Sequence, residues 1–172
     1  QRFNDANKTL EKAENIVITS AGSRTVGEIK AESKHMDYDI IIIDYLQLLK
    51  ADTTYRGNRA AEVGEISRAI KSLAMELNIP IIALSQLNRA SENNASKEPT
   101  MAELREAGNI EQDASVIMLI WNLSEDDRSK KGCKIEKNRQ GECGKIVLKF
   151  NGDLMKFEET NESVKDAKEW KK

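Results

Sequence analysis

Four consecutive isoleucines close on an acid, Ile40-Ile41-Ile42-Ile43-Asp44, and this run narrows the folds open to the chain more than any other. β-Branched residues in an unbroken row favour an extended strand. Because the row does not alternate with polar residues, the strand is expected to be covered on both faces, as in a parallel α/β sheet. Parallel neighbours need a crossover, usually a helix. Between Asn58 and Asn78 the apolar residues Val63, Ile66, Ile70, Leu73 and Leu77 recur at steps of three and four, opposite Glu62, Arg68, Lys71 and Glu76. Asn78-Ile79-Pro80 stops that helix, and Ile81-Ile82-Ala83-Leu84 reads as a second buried strand. Strand, helix, strand makes a βαβ unit, expected to be right-handed.

The flanks are shorter. Ile16-Val17-Ile18-Thr19 reads as a strand, and Thr25-Val26-Gly27-Glu28 fits a capping box opening a helix to about His35. Ser91 to Pro99 is a polar loop, and Thr100-Met101-Ala102-Glu103 is a second capping box. Val116 to Trp121 reads as a third buried strand. After it come Cys133–Arg139, Lys145–Phe150 and Leu154–Phe157, half-buried strands parted by Gly141, Gly144 and Asn151-Gly152, the pattern of an antiparallel meander. The expectation is one domain over residues 1–160 and a charged tail over 161–172.

Composition excludes several classes. Lys+Arg number 27 against 29 Asp+Glu, a formal charge of −2, which rules out a wholly basic chain that coats nucleic acid but not a local basic site. One histidine and two cysteines, with no CxxC or HxxxH spacing, leave no zinc site and no disulfide framework. No apolar run approaches the ~18 residues of a membrane span, and no basic-then-apolar leader is present. A cytoplasmic protein without a membrane partner is the expectation.

Four places could carry chemistry. Asp44 ends a buried strand, at the edge where open α/β sheets bind ligands; it either holds a metal beside phosphates or caps the loop. Gln86, after Ile81–Leu84, falls near the same edge, either as a hydrogen-bonding sensor of a γ-phosphate or as a polar strand terminus. Arg105, Glu106 and Gly108 form a charged turn that either approaches phosphates through its backbone amides or is a solvated loop with an internal ion pair. Lys137 and Arg139 stand two apart on a strand, within a segment from Asp126 to Lys149 that holds eight Lys/Arg against four Asp/Glu. They suit a polyphosphate, or form an ordinary solvated face. None of the nine glycines opens a G-x-x-x-x-G-K-[ST] phosphate loop.

In order and spacing the motifs become specific. IIIIDYLQLL, LAMELNIP, IIALSQLNR, LREAGNIEQDAS and KNRQG, from about Tyr38 to Glu158, together resemble the C-terminal half of the DnaB-type replicative DNA helicases. The resemblance implies a RecA-like α/β fold, a mostly parallel sheet flanked by helices with a C-terminal antiparallel meander. It implies an ATP-dependent helicase that forms a hexameric ring, translocates on single-stranded DNA and uses ATP and Mg²⁺. Primase and a helicase loader are its implied partners. On this likeness Asp44 is the Walker B acid for Mg²⁺ and Gln86 the γ-phosphate sensor. Arg105, Glu106 and Gly108 form the DNA-facing loop. Lys137 and Arg139 enter the neighbouring subunit's nucleotide site, with Arg139 as arginine finger. The phosphate loop and catalytic glutamate have no match in Gln1–Asp37, so a fragment beginning inside the ATPase domain, inactive alone, is expected. A RecA-like recombinase or an inactive DNA-binding paralogue is the alternative.

Overall fold

The computed structural model describes residues 12–20, 22–87, 98–107, 110–124 and 126–162. Two sheets share the work of organising them. In the first, β1 (Ile41–Ile43) pairs in parallel with β2 (Ile81–Ala83), Ile43 opposite Ala83. Helices α1 (Val26–Ser33) and α2 (Arg59–Leu77) pack on it.

Local chemistry sets the helix ends. The Thr25 hydroxyl accepts from the Glu28 amide at 3.3 Å while the Glu28 carboxylate accepts from the Thr25 amide at 2.8 Å, so the expected capping box is formed. Asn58 caps α2 by accepting from the Ala61 amide at 3.1 Å. Asn78, at φ 55°, takes the left-handed conformation that ends the helix two residues before Pro80. Between these caps the predicted stripe is buried: Val63, Ile66, Ile70 and Leu73 meet Val26, Ile43, Leu46 and Leu49 in the main core. Lys30 bridges to Glu76 at 2.5 Å, tying α1 to α2.

Two expectations about this half do not hold among the described residues. Ile16–Thr19 forms no strand and Ile16, Val17 and Ile18 are exposed; β-branched residues need a neighbouring strand to pair with, and none lies beside them. The isoleucine strand is covered on one face only. Ile43 is 4% exposed but Ile42 is 63%, and its partner Ile82 is 50% exposed. Both helices sit on the same side, and alternation along the strand sends the intervening side chains to the other.

The second sheet is a four-stranded antiparallel meander in the order β3 (Val116–Asn122), β4 (Lys130–Asn138), β5 (Gly144–Asn151), β6 (Lys156–Glu159). Sequence placed β3 as a strand buried throughout; instead Ile117, Leu119 and Trp121 face inward while Val116, Met118 and Ile120 face out. Asn151 accepts from the amides of Asp153 and Leu154, at 3.1 and 3.2 Å, and this turn delays β6 to Lys156. A 3-10 segment (Met101–Ala107), opened by Thr100 and Glu103 at 2.8 Å, lays Leu104 against Ile117 and Leu119. The short helix α3 (Ile110–Asp113) joins the two halves, since Ser67 on α2 donates to the Asp113 carboxylate at 2.7 Å. Most of the polar loop at Ser91–Pro99 and of the charged tail lies outside the described residues.

Trp121 lies flat across Gly132, its partner on β4, so a Cβ there would overlap the indole ring. Gly132→Ala should therefore lower stability by about 1–3 kcal/mol, read as a lower urea midpoint. An unchanged midpoint would show that the indole can move aside.

Candidate nucleotide and DNA site

Parallel pairing puts the two strand tips at one edge. Asp44 follows β1 directly and Gln86 stands three residues beyond Ala83; both are exposed. The backbone ladder continues past the strands, the Leu84 amide donating to the Ile43 carbonyl at 3.0 Å and the Leu46 amide to the Leu84 carbonyl at 2.8 Å. The carboxyl ends of parallel strands are where α/β sheets bind ligands, because the chain turns away there and leaves a crevice. A single carboxylate with open coordination suits Mg²⁺, which keeps several waters and shares phosphate oxygens. Among the described residues no group of three or more His, Cys, Asp and Glu forms an all-protein metal cage.

The loop leaving this edge is held from α2. Glu65 accepts from the amides of Asp52 at 2.8 Å and Thr53 at 3.3 Å, and from the Tyr55 hydroxyl at 2.7 Å. The Tyr55 hydrogen bond, foremost, holds the Glu65 carboxyl below its ordinary range, and the same bond raises the Tyr55 phenol. Gln47, in a 3-10 turn (Leu46–Leu48), reaches across to Ser85 and Gln86. Sequence reading passed over Gln47 and Glu65. Gln47 was visible as the one polar residue in the apolar run after Asp44, Tyr45 apart; Glu65 carries no such signal.

Lys137 and Arg139 are brought together as expected. A bulge leaves Glu136 unmatched between the Met118–Ile135 and Ile117–Lys137 pairs, and the β4 main chain then continues to Arg139, whose amide donates to the Ser115 carbonyl at 3.0 Å. Lys137 donates to the carbonyls of Glu111 and Gln112, and Arg139 to that of Gln112. These are last-turn carbonyls of α3, which lack helical partners. Arg139 remains exposed. Arg105 and Glu106 lie near the end of the 3-10 segment, five and four residues ahead of α3, while Gly108 lies outside the described residues.

Part of the basic stretch is spent internally. Lys134 bridges to Glu98 at 3.3 Å and also pairs with Glu136, and Lys145 pairs with Glu98. Lys145 foremost, then Lys134, holds the Glu98 carboxyl below 4.5; Glu136 foremost raises Lys134 above 10.5.

The family described as DnaB-like helicase C terminal domain matches residues 1–159. The chain is 41% identical to the replicative DNA helicase DnaB of Buchnera aphidicola subsp. Baizongia pistaciae, over 94% of this chain and 37% of that protein. It is 38% identical to that of Geobacillus stearothermophilus, over 83% of this chain and 33% of the relative. A solved DnaB-like replicative helicase, described with its interactions with primase, superposes with a TM-score of 0.72 at 31% identity, covering 81% of this chain and 36% of that one. A solved ATPase domain gives 0.74 at 30% identity, over 81% of this chain and 52% of that domain. The fold is the one these solved helicase and ATPase-domain structures share. The chain belongs to the DnaB-like helicase C-terminal domain family, and it spans 37% and 33% of the two curated relatives named above.

The pH behaviour of the Glu98 cluster follows from its signs. A depressed carboxyl stabilises fully above its unfolded value near 4.5 and loses that contribution as pH falls through the lower folded value. The raised Lys134 contributes below 10.5 and loses it as pH rises through its folded value. Glu98→Gln should thus flatten the acid limb of a stability profile below about pH 4.5 and weaken its alkaline limb only in part, since Glu136 still pairs with Lys134. An acid limb as steep as before would contradict the ion pairing.

Proposed function

We propose that this chain is the C-terminal part of a replicative, ATP-dependent DNA helicase that unwinds duplex DNA by moving along single-stranded DNA as a hexameric ring. The observation that carries the reading is the meeting of Asp44 and Gln86 at one edge of a parallel pair, in a chain of this family. Residues 1–160 are then part of one RecA-like ATPase domain, from the Walker B strand onward, with 161–172 a charged tail. Primase, named with one solved relative, and a loader are partners of the whole cytoplasmic protein.

Each role has a physical basis. The Asp44 carboxylate would hold Mg²⁺, and the ion would supply positive charge against the triphosphate. The Gln86 carboxamide, neutral and able to donate, hydrogen-bonds a γ-phosphate oxygen and loses that partner once the phosphate leaves. Arg139 acts from the neighbouring subunit as an arginine finger, aided by Lys137, its guanidinium exchanging the Gln112 carbonyl for phosphate oxygens. A charge-assisted bond to phosphate is the stronger of the two, so assembly favours the exchange. Arg105, Glu106 and Gly108 face the DNA backbone in the channel. Backbone contacts read no sequence, as a motor crossing every sequence requires.

In the full-length helicase, Arg139→Ala should lower ATP turnover by about 10³-fold while nucleotide binding stays within a few-fold. Mixing it with Asp44→Ala subunits should restore part of the turnover, because each mutant supplies the half-site the other lacks; no restoration would refute action across subunits. Arg105→Ala should weaken single-stranded DNA binding by a similar factor on every sequence. A loss confined to particular bases would contradict the backbone role.

A further inference from the structure

Beyond Leu46 and Leu84 the main-chain ladder between the two strand tips stops, and a side chain takes it up. The Gln47 carboxamide oxygen accepts from the Gln86 amide at 3.4 Å, and its nitrogen donates to the Gln86 carbonyl at 3.3 Å and to the Ser85 hydroxyl at 3.0 Å. A carboxamide carries one donor and one acceptor group in a plane, as a peptide does, so it can replace a strand residue in a two-point pair. Asn offers the same groups one methylene short.

The turn that carries Gln47 is fixed at both ends. Leu46 is 3% and Leu49 1% exposed within the main core. The Gln47 carbonyl accepts from the Arg59 guanidinium at 2.5 Å, and Arg59 pairs with Glu62 at 2.6 Å. Gln86, by contrast, is exposed and lies past the end of β2. The rigid partner therefore positions the less constrained one.

We propose that Gln47 is a positioning residue: its carboxamide clamps the main chain of Gln86 to the segment that follows Asp44, and so sets the direction in which Gln86 presents its own carboxamide to a γ-phosphate. This rests on the nucleotide reading of the Asp44–Gln86 edge. Gln47 itself touches no reacting atom. Its loss should leave nucleotide binding nearly intact and slow the step that depends on Gln86.

The test uses Gln47→Met, similar in length and without the hydrogen bonds, together with Gln86→Ala and the double variant. In DNA-stimulated ATP hydrolysis by the full-length helicase, Gln47→Met should lower kcat about tenfold with KM for ATP within about twofold. Added to Gln86→Ala it should cost less than about twofold more, since both act through one group. Full multiplication of the two losses, or a Gln47→Met rate equal to the parent's, overturns the proposal. In the 172-residue chain, hydrogen exchange at the Gln86 amide should quicken about tenfold in Gln47→Met relative to the Leu84 amide. Unchanged exchange overturns the clamp whatever the kinetics. A silent Gln86→Ala instead removes the nucleotide reading, and with it the catalytic half of this inference, while the exchange result still judges the clamp.

Discussion

One apolar contact underlies the site: the stripe of α2 seated on Ile43, Leu46 and Leu49. Ile43 is the last residue of β1 and Leu46 the first of the turn, so the segment between them, which carries Asp44, is held at both ends by burial. The same helix returns the chain to begin β2 alongside β1. Hydrophobic burial is non-directional, but a stripe at helical spacing gives it direction, and the polar groups at the edge inherit their places from it. At the far side of α2, Ser67 and Lys71 hydrogen-bond Asp113 and Ser115, which links that frame to α3 and the meander.

Features with local causes were legible in the sequence. The capping box at Thr25, the stripe from Val63 to Leu73 and the helix stop at Asn78-Ile79-Pro80 all have causes close by in the chain, and each forms where the pattern says. The shared edge of Asp44 and Gln86 was legible too, because a parallel pair must present both carboxyl ends together. What depended on distant partners was not. Ile16–Thr19 has strand composition without a strand to join. The burial of Ile40–Ile43 depended on which faces neighbours cover. No local rule tells that Lys137 and Arg139 find the carbonyls of Glu111 and Gln112, 25 to 27 residues earlier in the chain. Gln47 was hidden for a related reason: its partners at Ser85 and Gln86 are nearly 40 residues away.

Charge tells a similar story. Counted along the sequence, the segment from Asp126 to Lys149 is the basic part of an acidic chain. In space Lys134 and Lys145 converge on Glu98 and Glu136, and Lys130 meets Glu162 at 2.7 Å, so these cations serve the sheet rather than a partner. Lys137 and Arg139 are different: they meet carbonyls, which carry only partial charge. A guanidinium so held keeps most of its attraction for a full anion.

The open strand tips of the β1–β2 pair have a thermodynamic consequence. Past Leu46 and Leu84 the main-chain ladder ends, which leaves the two tips as a small, exposed unit held by few bonds. Such a unit opens by local fluctuation more readily than the core beneath it. Any ligand that spans both tips binds only the closed form, so occupancy and local order at this edge rise and fall together, each strengthening the other by mass action.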